Sequence, residues 1–199
     1  MHPDDAPRPS CSRNVKILPD AASLDEKIRA EEFDALVLPG GAPGAKAFCS
    51  SKRVLQLIRD FRETGKLVAC ICAGTTALAK SVEEVGGEKN GKVLVTSHPS
   101  VRDEIKGQGW EYSEERVVVS DGVVTSRGYV CRRLLLGRIT RCCCGNPDAF
   151  GRGFEWTTDP VRDYRPGTAM LFALTVVERL CGKEKREEIT GPMICAETL

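Results

Sequence analysis

Cys72 is the residue of this chain best placed to do chemistry. It stands between residues 67–71 (LVACI), an apolar run of the kind that forms a buried parallel strand, and residues 75–80 (TTALAK), which are rich in good helix formers. Gly74 lies between the two segments and frees the backbone to turn. A cysteine on such a turn has the layout of a nucleophile elbow. The side chain is lifted out of the sheet edge, and backbone N–H groups point at whatever it attacks. The same pattern also suits a buried structural cysteine, a common fate of this residue type. A second candidate is the pair Gly40 and Gly41, directly after the apolar segment 33–38 (FDALVL). Glycines at the carboxyl end of a strand permit close backbone approach where α/β sheets bind ligands, and they equally suit an ordinary turn.

The elements that must carry these residues follow from periodicity and caps. Residues 15–18 and 33–38 read as strands, and Ser23 caps a charged helix near 24–30. Ser51 caps a helix on which Val54, Leu55, Ile58 and Phe61 form one apolar face, with Gly65 as its stop. Residues 93–95 read as a strand leading into 97–100 (SHPS), followed by a short polar helix near 101–106. Residues 110–126 read as strands joined by a turn at Asp121 and Gly122. An apolar helix over 168–180 ends at Gly182 and Lys183. Strands alternating with helices predict an α/β sheet with an antiparallel excursion.

Composition narrows the function classes. The 199 residues, 41% hydrophobic and 29% charged, suit one globular domain. A net charge of +1 suggests no nucleic-acid or membrane partner, and no apolar run approaches the ~20 residues of a membrane span. The first ten residues hold no apolar core of a secretory signal. Ten cysteines in that setting imply free thiols in a reducing compartment, with the cytosol as the default.

Residues 129–165 break the pattern. They contain seven Arg and no Lys, and four of the ten cysteines: Cys131, Cys142, Cys143 and Cys144. No strand or helix period runs through them, and adjacent cysteines without a C-x-x-C pair or a nearby histidine do not make a zinc site.

Taken together, a series of segments resembles the DJ-1/PfpI superfamily, in its DJ-1 branch. They are CSRNV at 11–15, PD at 19–20, VLPGG at 37–41, ACICAG at 69–74, TSHP at 96–99, YSEER at 112–116, DG at 121–122, TSRG at 125–128 and PGT at 166–168. They occur in family order and cover residues 11–128 and 166–194 of a single domain spanning 1–199. The resemblance implies a flavodoxin-like (class I glutamine amidotransferase-like) α/β fold, a mostly parallel sheet sandwiched by helices. It implies Cys72 as the catalytic cysteine and His98 as its histidine, the other histidine lying in the N-terminal tail. It places the N–H groups that hold an oxyanion at Gly41 and Ala73, and an arginine near the site and the dimer interface at Arg13. Cys70 matches no family role and reads as a buried strand residue.

The implied activity is that of a glutathione-independent glyoxalase acting on a small 2-oxoaldehyde such as methylglyoxal, with no metal or cofactor. A thiolate is the reactive form, and an elbow at a helix N-terminus can bring a thiol pKa from ~8.5 down toward ~3.5–7.5. Cys72 would form a hemithioacetal with the aldehyde carbon, Gly41 and Ala73 would hold the oxyanion, and D-lactate would be released. Removal of early glycation adducts would use the same cysteine. The resemblance further implies a homodimer in the cytoplasm or nucleus.

Two departures stand out. The family opens with a strand, a helix carrying a glutamate beside the cysteine, and a second strand. This chain begins after them, with no position matching that glutamate and without the helix that supplies much of the dimer surface. The second is the 37-residue block 129–165, since in the family Gly128 and Pro166 adjoin. Codons allowed by Gly128, Tyr129 and Val130 can encode a GTATGT splice donor, and Arg165 an AG acceptor in frame, so the block reads as a translated intron.

Other classes remain open. Oxidation of Cys72 to a sulfinate would make a redox sensor or chaperone, and a chain lacking the opening elements could be an inactive fragment. A glutamine amidotransferase needs a downstream His-x-Glu, where Ser100 stands after His98 and Pro99. The protease-like branch places histidine directly after the cysteine, where this chain has Ala73.

Overall fold

The computed structural model describes residues 16–21, 24, 30–83, 92–128 and 168–193. Its centre is a four-stranded sheet in the order β1 (Ala35–Leu38), β2 (Leu67–Ile71), β4 (Val123–Ser126), β3 (Val117–Ser120). β1, β2 and β4 run parallel, and β3 is antiparallel to β4. The tight turn between β3 and β4 falls on Asp121 and Gly122, with φ of +44° and +71°, the left-handed pair that a two-residue hairpin requires.

Alternation along β2 explains why both faces are covered. Val68 and Cys70 face one core with Val54, Leu55, Ile58 and Phe61 of α2 (Lys52–Glu63) and Leu78 of α3 (Thr75–Glu83). Leu67 and Ala69 face a second core with Val124 and Phe172 of α5 (Thr168–Cys181). A strand buried on both faces cannot alternate apolar with polar residues, which is why 67–71 is apolar throughout. The result is the flavodoxin-like arrangement, a mostly parallel sheet between helical layers.

Helix ends follow their sequence signals. Ser51 Oγ accepts the Val54 N–H at 3.3 Å at the start of α2. At its end Gly65 takes φ +70°, and the Lys66 N–H reaches back to the Phe61 carbonyl at 2.8 Å. Lys66 Nζ then donates to the carbonyls of Ala30, Glu31 and Phe33 at 2.8, 2.9 and 2.7 Å. Those bonds hold the 3-10 turn Ala30–Glu32, so β1 starts at Ala35 and not at Phe33.

Four expectations need correction or extension. Residues 93–95 form no strand; Val95 makes one isolated parallel bridge to Tyr112. Of the strand expected at 15–18, Val15 lies outside the described residues and residues 17–18 are in no strand. The helix expected near 24–30 falls almost wholly outside them. Two helices were not anticipated, α1 (Ala42–Ser50) and α6 (Lys183–Thr190), the latter following α4 (Arg102–Gly107) and α5 in chain order. The block 129–165 and Arg13 also lie outside the described residues.

Candidate active site

The register of the sheet assembles the site. Leu38 is level with Cys70, and Ile71 with Ser126, so the chain leaves β1, β2 and β4 at a common edge. Two residues beyond the end of β1 is Gly40, which lies beside Cys72, itself two residues beyond Cys70, and two residues beyond β4 comes Gly128. This is the carboxyl edge of the parallel strands, where α/β sheets bind ligands.

Cys72 has φ +62°, in the left-handed region that costs a residue with a side chain ~1–3 kcal/mol. Its neighbours fix that conformation. A Cβ on Gly40 would lie 2.6 Å from Cys72 Cβ and 3.2 Å from its Sγ. A Cβ on Gly128, itself at φ +74°, would lie 2.5 Å from Cys72 Cβ and 3.2 Å from Sγ. Gly74 is equally constrained, since a Cβ there would come within 2.8 Å of the Leu38 carbonyl oxygen. Cys72 opens the 3-10 turn Cys72–Gly74 that runs into α3, and it is half-buried.

Gly41 (φ +99°) is the N-cap of α1, and Ala73 belongs to the 3-10 turn. The first N–H groups of such turns have no acceptor within their own helix and are free to meet an anion. The sequence marks Gly40 for close backbone approach, and the structure puts that approach against Cys72; Gly128, whose missing side chain makes room on the other flank, was not singled out.

His98 reaches the elbow through its backbone: its N–H donates to the Cys72 carbonyl at 3.3 Å. The segment before it is held by hydroxyls in place of a β ladder. The Thr96 N–H donates to Thr125 Oγ1 at 2.9 Å, and Thr75 Oγ1 donates to the Thr96 carbonyl at 3.2 Å. The Ser97 N–H donates to the Tyr112 hydroxyl at 3.2 Å. Val95 itself pairs by backbone, its N–H donating to the Glu111 carbonyl at 3.0 Å and its carbonyl accepting from the Ser113 N–H at 2.9 Å, so the hydroxyls take over only at Thr96 and Ser97. The His98 ring is oriented by Ser100, whose backbone N–H donates to Nδ1 at 3.1 Å. A backbone N–H can only donate, so Nδ1 is the acceptor and Nε2 carries the proton of the neutral ring. Burial, and secondarily the charge of Arg127, hold the His98 pKa below its ordinary value.

Arg127 was not singled out from the sequence. It precedes Gly128, and its Nη1 donates to the Glu114 carbonyl at 2.8 Å and pairs with Glu114 Oε2 at 3.1 Å. Glu114 also pairs with Arg102 at 3.2 Å. The signal was present in TSRG at 125–128, an arginine at the end of a strand beside a glycine. Cys70, two residues before the elbow, is fully buried, and burial pushes its thiol up to about 12. Among the described residues, no group of His, Cys, Asp and Glu side chains converges to hold a metal ion. Among them, also, no helix is long and apolar enough to cross a membrane.

A half-buried cysteine in a left-handed turn at the carboxyl edge of a parallel sheet defines an α/β protein of the cysteine-elbow class. The chain belongs to the DJ-1/PfpI family, whose model matches residues 3–135. It is 34% identical over 187 residues to Protein dj-1beta of Drosophila melanogaster, covering 94% of this chain and 75% of that protein. It is 28% identical over 187 residues to the glutathione-independent glyoxalase DJR-1.2 of Caenorhabditis elegans, again covering 94% and 75%. The crystal structure of the Drosophila melanogaster DJ-1beta superposes with a TM-score of 0.67 at 33% identity, over 96% of this chain and 78% of that one.

Proposed function

We propose that the chain is a cofactor-free glyoxalase that converts a small 2-oxoaldehyde, methylglyoxal in the first instance, to the 2-hydroxy acid D-lactate. The observation that supports this reading most is the left-handed Cys72, with Gly40 and Gly128 against its side chain and the His98 backbone bonded to its carbonyl. The relative named a glutathione-independent glyoxalase adds weight to it.

In this reading Cys72 Sγ, as thiolate, bonds to the aldehyde carbon and the carbonyl electrons move to oxygen, giving a hemithioacetal oxyanion. The N–H groups of Gly41 and Ala73 stabilise that charge. A proton then leaves the former aldehyde carbon and one is added at the neighbouring carbon, so that the first is oxidised to a thioester while the ketone is reduced to an alcohol. Water cleaves the thioester and returns the thiol. The two half-changes cancel, so no external oxidant or reductant is needed. His98, held neutral with its proton on Nε2, is a proton donor in this scheme.

The test is lactate formation from methylglyoxal, read with a D-lactate-specific dehydrogenase, for the chain and for Cys72→Ala. D-Lactate from the unaltered chain alone supports the reading, and equal yield from both discards Cys72 as nucleophile. No lactate from either, in a folded sample, discards the enzyme reading and turns attention to peroxide oxidation of Cys72, seen as a gain of two oxygens by mass spectrometry.

A further inference from the structure

Cys72 is flanked by a ring of hydrogen bonds that joins the end of β4 to the start of α5. The Gly128 N–H points to Ser126 Oγ at 3.5 Å, Ser126 Oγ donates to Thr168 Oγ1 at 2.8 Å, and Thr168 Oγ1 donates to the Gly128 carbonyl at 2.8 Å. Ser126 and Thr168 are 0% and 3% exposed, so no water competes for these bonds. Ser126 ends β4, and Thr168 opens α5, 40 residues beyond Gly128. The member they jointly fix is Gly128, where an added Cβ would meet Cys72 Cβ at 2.5 Å.

We propose that Ser126 and Thr168 are positioning residues for the Cys72 thiol, acting through the Gly128 backbone that walls one flank of the sulfur. The inference deepens the nucleophile reading and rests on Cys72 as the reactive atom. Without the ring, Gly128 is free to move at its left-handed φ, the flank opens, and the sulfur becomes more accessible but less well placed.

Cys70 supplies an internal control, because it lies two residues away in β2 with its thiol fully buried. The experiment measures iodoacetamide labelling of Cys72 and Cys70, peptide by peptide by mass spectrometry, in the full chain and in Thr168→Val. Loss of a hydrogen bond of ordinary net worth corresponds to about fivefold, and Cys72 labelling is expected to rise by about that factor while Cys70 stays unlabelled. Thr168→Ser, which restores the hydroxyl, is expected to return Cys72 to the unaltered rate. Ser126→Ala, which removes the two bonds made by Ser126 Oγ, the one to the Gly128 N–H being long at 3.5 Å, and leaves Thr168 on the Gly128 carbonyl, is expected to give a smaller rise of the same sign; it decides the matter if Thr168→Val does not fold. An unchanged Cys72 rate overturns the proposal. So does labelling of Cys70 in step with Cys72, which would mean that the ring only holds the sheet together. Lactate formation is a separate readout: its absence from every form counts against the glyoxalase reading and leaves the labelling result to judge the ring.

Discussion

The interior of β2 and the turn that leaves it differ most plainly in their two thiols. Cys70 and Cys72 flank Ile71 in the nearly symmetric string ACICA, so local composition hardly separates them. Cys70 points into the core with Val68 and Val123, is 0% exposed, and has a thiol pushed up to about 12. At neutral pH it carries almost no thiolate and is inert. Cys72 is half-buried in a left-handed conformation, between two residues without side chains. The difference teaches that access to a thiol here is set by backbone conformation and by the neighbours' missing Cβ atoms. Moving two residues along the chain replaces a packed environment with a built opening.

The most forceful way to break the contrast is to close that opening. Gly128→Ala and Gly40→Ala would each place a methyl within 2.6 Å of Cys72 Cβ, so the turn must shift. Displacement of a reacting atom by about an ångström can cost about 10²-fold in rate. A loss of that order in lactate formation is expected from either variant, with a folded circular-dichroism spectrum. Gly44→Ala in α1 is the control, since nothing lies within 4 Å of the added methyl. Activity within a few-fold of normal in Gly128→Ala would show that the turn does not depend on these walls.

A smaller effect should come from the inert thiol. Cys70→Ala removes a buried sulfur from the core shared with α2, at a cost of ~1 kcal/mol in stability. Labelling of Cys72 and lactate formation should be unchanged. If activity falls with stability only slightly affected, the two thiols are not the separate environments described above.

The third contrast is electrostatic and sits at His98. Burial, with Arg127 as the second cause, lowers its pKa below 6.5, whereas the unfolded chain protonates near that value. As pH falls through 6.5 the unfolded state therefore takes up the proton first. The contribution of neutral His98 to stability is full above that pH and declines as pH falls toward the folded value. Arg127→Met removes the smaller of the two causes, so the ring should titrate at higher pH than in the unaltered chain, yet still below 6.5. With only two histidines in the sequence, an NMR titration resolves His98 directly. A midpoint unmoved by Arg127→Met would remove the arginine from the account.

Most of the scaffold was legible because it follows local rules. The Ser51 cap, the apolar face of α2, the Gly65 stop and the Asp121–Gly122 turn are each set by a few adjacent residues. α1 escaped notice because Pro43 and Gly44 in its first turn depress helix propensity, although proline is tolerated there. α6 escaped because Gly182 was read as a final stop. It does end α5, but the chain re-enters a helix at once, and Arg186 pairs with Glu178 across the break. Residues 93–95 look like a strand because they are apolar, yet only Val95 finds a bridge, and the backbone beyond it turns to the hydroxyls of Thr125 and Tyr112, distant in sequence. At the site, the elbow could be read from its strand–cysteine–helix pattern. The wall formed by Gly128, and the ring that fixes it, could not, since they depend on contacts across the sheet.

The smallest effect on the two thiols is expected from removing residues 129–165 altogether. We propose that this block is not required by the domain. The Thr168 hydroxyl lies 2.8 Å from the Gly128 carbonyl, which places the two Cα atoms within about 8 Å of each other. After deletion, Pro166 and Gly167 would join them through three peptide links, whose reach is about 11 Å. The closure is therefore geometrically available without moving β4 or α5. The shortened chain should label at Cys72 and spare Cys70 as the full chain does, with lactate formation within about twofold, less than one hydrogen bond's net worth. Sequencing cDNA across the region gives an independent check, since a translated intron predicts a spliced transcript joining the codon of Gly128 to that of Pro166. A shortened chain that fails to fold, or whose Cys70 becomes reactive, would show that the block contributes to the sheet edge on which Cys72 stands.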